Sequence, residues 1–340
     1  MNHTAPRLLT VWLVAFAVLV TPAQSQQVSS PAQVEAVLSV GMTVSDMDRA
    51  VDFYSRVLTF DPISDIEVAG PDYEQLSGVF GMRARIVIMQ LGQERIELTE
   101  YLTPQGRPIP PDSRSNDRWF QHIAIIVSDM DRAYARLREH RVRHASTGPQ
   151  LLPEWNPNAG GISAFYFKDP DNHVLEILAF PPDKGDPRWH QPSTRLFLGI
   201  DHTAIVVSDT EASLRFYRDL LGFTVAGHSE NYGAEQAHLN NVEDAHLRIT
   251  GLRVPQGPAI EFLEYLNTRD GRAYPADSRP TDLWHWETTL RVSDPDGAAA
   301  RFAGQYPFTA RGVVRSATAG FGLGFGVRDP DGHVMRLVQR

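Results

Sequence analysis

Four times along the chain an aliphatic, β-branched run leads into Ser-Asp and then into a helical pattern of apolar positions. The four are Thr43-Val44-Ser45-Asp46, Ile126-Val127-Ser128-Asp129, Val206-Val207-Ser208-Asp209 and Arg291-Val292-Ser293-Asp294, with serines spaced by 83, 80 and 85 residues. The Ser-Asp pair supplies an N-cap and a first-turn acid, the usual signal for strand giving way to helix. In the first copy Met47, Ala50, Val51, Tyr54, Val57 and Leu58 fall on one helical face, which must pack on a sheet. Short alternating or continuous apolar stretches follow, such as Arg85 to Met89 and Arg95 to Leu98, so each copy predicts βαβββ. A period this regular means four copies of one supersecondary unit. Pro295 and Gly297 are expected to disturb the fourth helix at its start.

A second repetition sits above the first. Ile96 to Trp119 (IELTEYLTPQGRPIPPDSRSNDRW) matches Ile260 to Trp284 (IEFLEYLNTRDGRAYPADSRPTDLW) with one inserted residue. A tandem duplication accounts for it: one two-module domain over 34–181, a linker over 182–196 in the Pro-rich region Pro181 to Gln191, and a second two-module domain over 197–340. Ahead of the repeats, the apolar run Leu8 to Val20 is too short to span a bilayer, and Ala23 and Ser25 suit the −3 and −1 positions of a signal peptidase site. A signal peptide over residues 1–25, cleaved after Ser25, is expected, which makes the mature protein secreted or periplasmic with no stable membrane anchor.

Composition narrows the chemistry. With 340 residues, no cysteine and a formal charge of −9, the chain has no disulfide, thiolate nucleophile or zinc ribbon, and any metal must rest on His and carboxylate. The acidic balance argues against nucleic acid as a partner and leaves a small molecule as the expected one.

The stretches KDPDNHVLEIL (Lys168 to Leu178) and RDPDGHVMRLV (Arg328 to Val338), with FYSRVLTF (Phe53 to Phe60) and FYRDLLGF (Phe216 to Phe223), resemble the vicinal oxygen chelate superfamily of glyoxalase, bleomycin-resistance and extradiol-dioxygenase proteins. The resemblance covers nearly all of 34–340. It implies an α+β fold in which four βαβββ modules form two incomplete β-barrels. It also implies a divalent metal held by residues of the first and last strands of each module.

Carried over position by position, the resemblance offers Ser39 and Glu97 from the first copy, His122 and Glu176 from the second, His202 and Glu261 from the third, and Glu287 and Arg336 from the fourth. If each tandem half closes on itself, the first barrel takes Ser39, Glu97, His122 and Glu176, and the second takes His202, Glu261, Glu287 and Arg336. If copies exchange partners, one cavity collects His122, Glu176, His202 and Glu261. That set suits nickel, cobalt, manganese, iron or zinc. Glu97, Glu287 and Arg336 then share the other cavity, where the guanidinium takes the place of the cation. The exchanged arrangement is favoured because it gathers a complete site. Each candidate also has a plainer reading as a hydrogen-bonded polar residue in a metal-free pocket. His173 and His333 read as structural parts of their turns, Glu100 and Glu264 as surface charges on the opposite strand face. The remaining histidines, His228 included, read as loop or surface residues, and Trp155 lies in a Pro/Gly-rich loop able to cover a cavity mouth.

A metal with open positions grips neighbouring oxygens of a substrate and stabilises an enolate. The resemblance therefore implies a metal-dependent lyase or isomerase acting on a small oxygenated metabolite, with Glu176 or Glu261 as the catalytic base. The alternatives are an extradiol-type dioxygenase, although neither tandem half by itself holds two His and one Glu, and a non-catalytic binding protein of the antibiotic-sequestering kind.

Overall fold

The computed structural model describes Met1 and residues 32–309, 313–315 and 322–339. The expected leader over residues 1–25 lies, Met1 apart, outside them. Among the described residues no helix is long and apolar enough to cross a membrane.

Each module begins with the expected strand and helix. The first contains β1 (Val34–Val44), α1 (Met47–Arg56), β2 (Asp61–Ala69), α2 (Pro71–Ser77), β3 (Arg83–Leu91) and β4 (Glu94–Thr103). The second contains β5 (Gln121–Val127), α3 (Met130–Glu139), the short β6 (Arg143–His144) and β7 (Gln150–Leu151), then β8 (Ser163–Lys168) and β9 (Val174–Ala179). The third contains β10 (Phe197–Val206), α4 (Thr210–Leu214), β11 (Thr224–Asn231), α5 (Ala234–Asn240), β12 (Leu247–Arg253) and β13 (Ala259–Tyr265). The fourth contains β14 (Trp286–Val292), α6 (Pro295–Phe302), β15 (Val314–Arg315), β16 (Leu323–Arg328) and β17 (Val334–Gln339).

Asp46, Asp129, Asp209 and Asp294 each accept the backbone N–H three residues on, so all four helices start on the same cap. Pro295 does not disturb the fourth. It occupies the first helical turn, where its missing N–H costs nothing and its fixed φ suits the helix.

Two open sheets form, and each draws on both tandem halves. One runs β15-β16-β17-β14-β1-β4-β3-β2, joining modules one and four; the other runs β11-β12-β13-β10-β5-β9-β8-β6, joining modules two and three. The antiparallel seams are β1 with β14 and β5 with β10. Partner exchange is thus the observed arrangement.

The apolar cores follow a different partition. One core joins Met47, Ala50 and Tyr54 of α1 with Ala133 and Leu137 of α3 and with Val40, Ile123 and Ile125 on the backs of both sheets. A second joins Phe216, Tyr217, Ala298 and Phe302 with Val34, Ile205 and Leu290. Consecutive modules therefore pack back to back through their helices, while the other face of the sheet joining modules two and three lines a cavity.

The duplicated loops bind the halves together. Arg107 pairs with Asp277 and Asp282 and lies over the Trp284 ring, while Arg272 pairs with Asp112 and Asp117 and lies over Trp119. Two glycines let the loops cross. A Cβ on Gly106 would lie 1.8 Å from the Thr281 carbonyl oxygen, and one on Gly271 would lie 1.7 Å from that of Asn116.

The two Asp-Pro-Asp-x-His turns are structural, as their sequence suggested. Asp171 accepts from the Ser45 backbone N–H and hydroxyl at 2.9 and 2.6 Å, and Asp331 accepts from the Ser208 N–H at 2.8 Å. His173 sits between Asp169, 2.8 Å from Nδ1, and the Leu283 carbonyl, 2.7 Å from Nε2. Glu100 and Glu264 do lie off the cavity face, but they are not surface charges. Glu100 accepts from the Met47 N–H, and Glu264, buried, accepts from the N–H and hydroxyl of Thr210, so each carboxylate anchors a helix start.

Candidate metal centre

Strand register alone places four polar side chains on one face. On the β5–β10 seam His122 stands opposite Ala204, and His202 opposite Ala124. In the flanking parallel pairs Ala124 neighbours Glu176, and Ala204 neighbours Glu261. Because side chains two apart share a face, His122, Glu176, His202 and Glu261 all project into the cavity around two alanines. Ala124 and Ala204 are fully buried and leave the middle of the cluster open. The alternate positions Ile123, Ile125, Ile200, Ile205, Ile260 and Phe262 pack into the apolar cores behind.

The distances are those of groups converging on one point. Glu176 Oε2 lies 3.1 Å from His122 Nε2 and 3.7 Å from His202 Nε2, and Glu261 Oε2 lies 3.4 Å from His202 Nε2. The imidazole centroids are 5.8 Å apart. His122, Glu176 and His202 are buried and offer ligand atoms all within 4.8 Å of one another. Glu261 closes the cluster from the more open side.

This donor set fits a divalent cation. His122 Nδ1 and Nε2 and His202 Nε2 are buried and make no well-directed hydrogen bond, the carboxylates nearby included, a costly condition for imidazole nitrogens unless something else engages them. The other nitrogen of His202 is held: its Nδ1 lies 3.0 Å from Asp201, which orients the ring so that Nε2 faces the cluster. Asp201 is in turn fixed by Trp189 Nε1 at 3.1 Å and Arg253 at 3.3 Å.

The cluster's electrostatics call for positive charge. Burial works against protonating His202, but Glu261, Asp201 and Glu176 outweigh it and push its pKa up to about 9. Burial raises Glu261, and the neighbouring Glu176 adds to the rise despite the two imidazoles. A positive charge among these carboxylates, on His202 or on a bound cation, is thus favoured.

The matching position in the other sheet is filled by protein. Glu287 neighbours Gly41 across the β1–β14 seam, with Glu97 beside Gly41 and Arg336 beside Thr289. Arg336 lies 2.9 Å from Glu97 and contacts Glu287 directly through Nε. Burial would raise the Glu287 carboxyl, but Arg336 and His285 hold it below its ordinary value. Ser39, buried, replaces the imidazole of the equivalent strand position. The guanidinium does occupy the place of the cation there.

A cavity of about 500 Å³ opens over the His and Glu cluster. Glu176, His202 and Glu261 form its floor, with Tyr166, Leu178, Ile249 and Leu263 as apolar walls. Its rim carries Asn158, His228, Ser229, Asn231, Gln236 and Arg253. The sequence did not single out these rim residues, apart from assigning His228 to a loop or surface. They come from β11, α5, β12 and a loop that carry no ligand spacing, and only folding brings them over the cluster. Trp155, in the loop thought able to cover the mouth, is half exposed and stacks on Tyr232 at 4.4 Å between centroids.

A sequence profile of the Glyoxalase/Bleomycin resistance protein/Dioxygenase superfamily matches residues 36–177 and 199–337. A 2-epi-5-epi-valiolone epimerase from Actinomyces sp. is 32% identical over 167 residues, 48% of this chain and 87% of that protein. Glyoxalase I from Zea mays superposes with a TM-score of 0.59 at 15% identity, covering 89% of this chain and 92% of its own. A putative dioxygenase from Bacillus subtilis subsp. subtilis str. 168 gives 0.55 at 12% identity, covering 90% and 86%. The two structural likenesses speak to fold.

Proposed function

Because the chain belongs to the Glyoxalase/Bleomycin resistance protein/Dioxygenase superfamily, we propose that the cavity of modules two and three is a metal-dependent active site of isomerase type. Its reaction is epimerisation of a small polyhydroxylated ketone at the carbon beside the carbonyl. The observation that carries this reading is the meeting of two imidazoles and two carboxylates from separate modules on one sheet face. His122, Glu176, His202 and Glu261 would hold the ion, which when bound would polarise the substrate carbonyl and lower the barrier to proton loss beside it.

This chain's residues supply the proton chemistry. Epimerisation removes a proton from one face of a carbon and returns one to the other, which two carboxylates can share. Glu176 comes from β9 and Glu261 from β13, on either side of the β5–β10 seam. Glu261, with its raised proton affinity and greater exposure, suits the role of mobile acid and base. Glu176, buried between both imidazoles, takes the opposite face. Ser229 and Arg253, which line the cavity, offer hydrogen bonds to hydroxyl groups. The isomerase class also draws on the likeness to the Actinomyces epimerase.

The test is metal analysis joined to proton exchange. Wild-type protein is expected to hold one transition metal, and His122→Ala and His202→Ala each to lose it. In D2O the loaded enzyme should place deuterium beside the carbonyl of 2-epi-5-epi-valiolone, and Glu261→Gln should reduce the rate about 10²-fold or more. Metal retained in both histidine variants would refute the shared centre. Export belongs to the same proposal, and a mature N-terminus at Gln26 would support it.

A second reading rests on one observation. His122, His202 and Glu176 together make a two-histidine, one-carboxylate group that neither tandem half holds alone, and such groups serve iron-dependent oxygenases. Oxygen uptake by the iron-loaded protein with a catechol, without proton exchange, would favour extradiol cleavage.

A further inference from the structure

A second, smaller pocket of about 140 Å³ shares no lining residue with the cavity over the cluster. It lies where the loop before β5, the turn after β8 and the end of α5 meet. Trp119, Phe120, Trp284 and Trp286 form much of its wall, all of them buried in the protein. Its described lining contains Lys168 and Arg114 and no carboxylate, in a chain of net charge −9. Arg114 is answered by Asp270 at 2.9 Å. Lys168, half-buried at the end of β8, has no carboxylate partner among the described residues and stands opposite Arg143 in the β6–β8 pair. Two like charges side by side without a counter-charge are destabilising.

The pocket also meets a bare donor whose direction is set from far away. The Asn156 side-chain oxygen accepts the N–H groups of Asn158 and Ala159, both at 3.1 Å, which fixes which way that amide points. Its nitrogen therefore donates to Asn231 Oδ1 at 2.7 Å, and Asn231 Nδ2 donates to Gln236 Oε1 at 3.1 Å. Gln236 Nε2 then donates to Asn240 Oδ1. Every amide in this buried ladder is committed, and the last nitrogen, Asn240 Nδ2, is left buried without an acceptor. Asn240 is 1% exposed and lines the pocket. Flipping it would set its nitrogen against that of Gln236, so the ladder's polarity makes the unpartnered atom of Asn240 a donor.

We propose that this pocket is a binding site for a small organic monocarboxylate. Lys168 meets the carboxylate, the unanswered Asn240 donor adds to the positive potential on that side, and the tryptophan walls enclose its apolar body. A cavity of about 150 Å³ is the size that takes up a benzene-sized molecule, so the ligand has roughly that bulk. The site needs neither the metal nor the chemistry of the larger cavity.

Titration of the metal-stripped full chain with benzoate, followed calorimetrically and by ligand-detected NMR, tests it. One equivalent should bind. Lys168→Met should weaken it at least ten-fold, Lys168→Arg should largely restore it, and benzamide, of the same shape without charge, should bind at least ten-fold more weakly. His202→Ala should leave benzoate affinity unchanged. The proposal is overturned if wild type does not bind benzoate, if benzamide binds equally well, if Lys168→Met binds benzoate as tightly as wild type, or if binding disappears in His202→Ala. Should Lys168→Met fail to fold, the Lys168→Arg and benzamide comparisons decide: equal affinity for benzamide overturns the proposal.

Discussion

Replacing Arg336 with methionine isolates the guanidinium's role in the cavity of modules one and four. The change keeps an unbranched chain but leaves Glu97 and Glu287 facing each other where their side chains are only 12% and 13% exposed. Breaking a buried ion pair by removing one partner costs about 3–5 kcal/mol, because a buried charge is left unanswered. For a chain of this size that corresponds to a thermal midpoint lower by on the order of 5–10 °C. The sign with pH follows from Glu287. In wild type its folded pKa lies below the unfolded value, so it contributes stability above the unfolded pKa that is lost as pH falls through the folded one. Without Arg336, burial is opposed only by His285, so that pKa rises and the stabilisation above it is lost. The deficit of Arg336→Met should therefore be largest near pH 7 and shrink towards pH 4. Adding Glu97→Gln and Glu287→Gln should recover most of it at pH 7. Denaturation midpoints of the three proteins across that range supply the measurement. A deficit below about 1 kcal/mol at pH 7, or one independent of pH, would refute the assignment of Arg336 as a built-in cation.

Other outcomes follow from the same structure. Asp201→Asn should weaken metal binding about 10–100-fold with the fold intact, since it removes the charge that orients the His202 ring; competition with a chelator measures it. Gly271→Ala should destabilise by about 3 kcal/mol or more, because the new carbon meets the Asn116 carbonyl oxygen in the loop crossing, and urea midpoints will register it. Burial opposes charging His173, but Asp169 and the Leu283 carbonyl outweigh it, and its folded pKa lies above the ordinary 6.5. Its contribution is thus complete below about pH 6.5 and lost as pH rises through the folded value. The stability gap between wild type and His173→Gln should accordingly narrow from pH 6 to pH 9.

The four-fold recurrence of strand, Ser-Asp and helix was legible because capping and helical periodicity are local. Asp46, Asp129, Asp209 and Asp294 each cap within three residues, and Met47, Ala50 and Tyr54 must share a face whatever lies opposite. The candidate ligands were legible as positions, since strand alternation assigns a face to His122 or Glu261 without tertiary knowledge. Local rules misjudged Glu264, because a residue turned away from one cavity is not thereby on the surface. They also missed the amide ladder from Asn156 to Asn240, because its first step joins residues 75 apart in sequence.

What the chain by itself determined is the module, its four helix starts, the damage to the ligand set in copies one and four, and the family. Only the tertiary structure decided which modules share a sheet. Strand pairing is a long-range choice between edges of similar sequence, and here it goes opposite to the helix packing: β5 pairs with β10 while α1 and α3 share a core. That choice gathers the histidines in one cavity and leaves an arginine to neutralise the other.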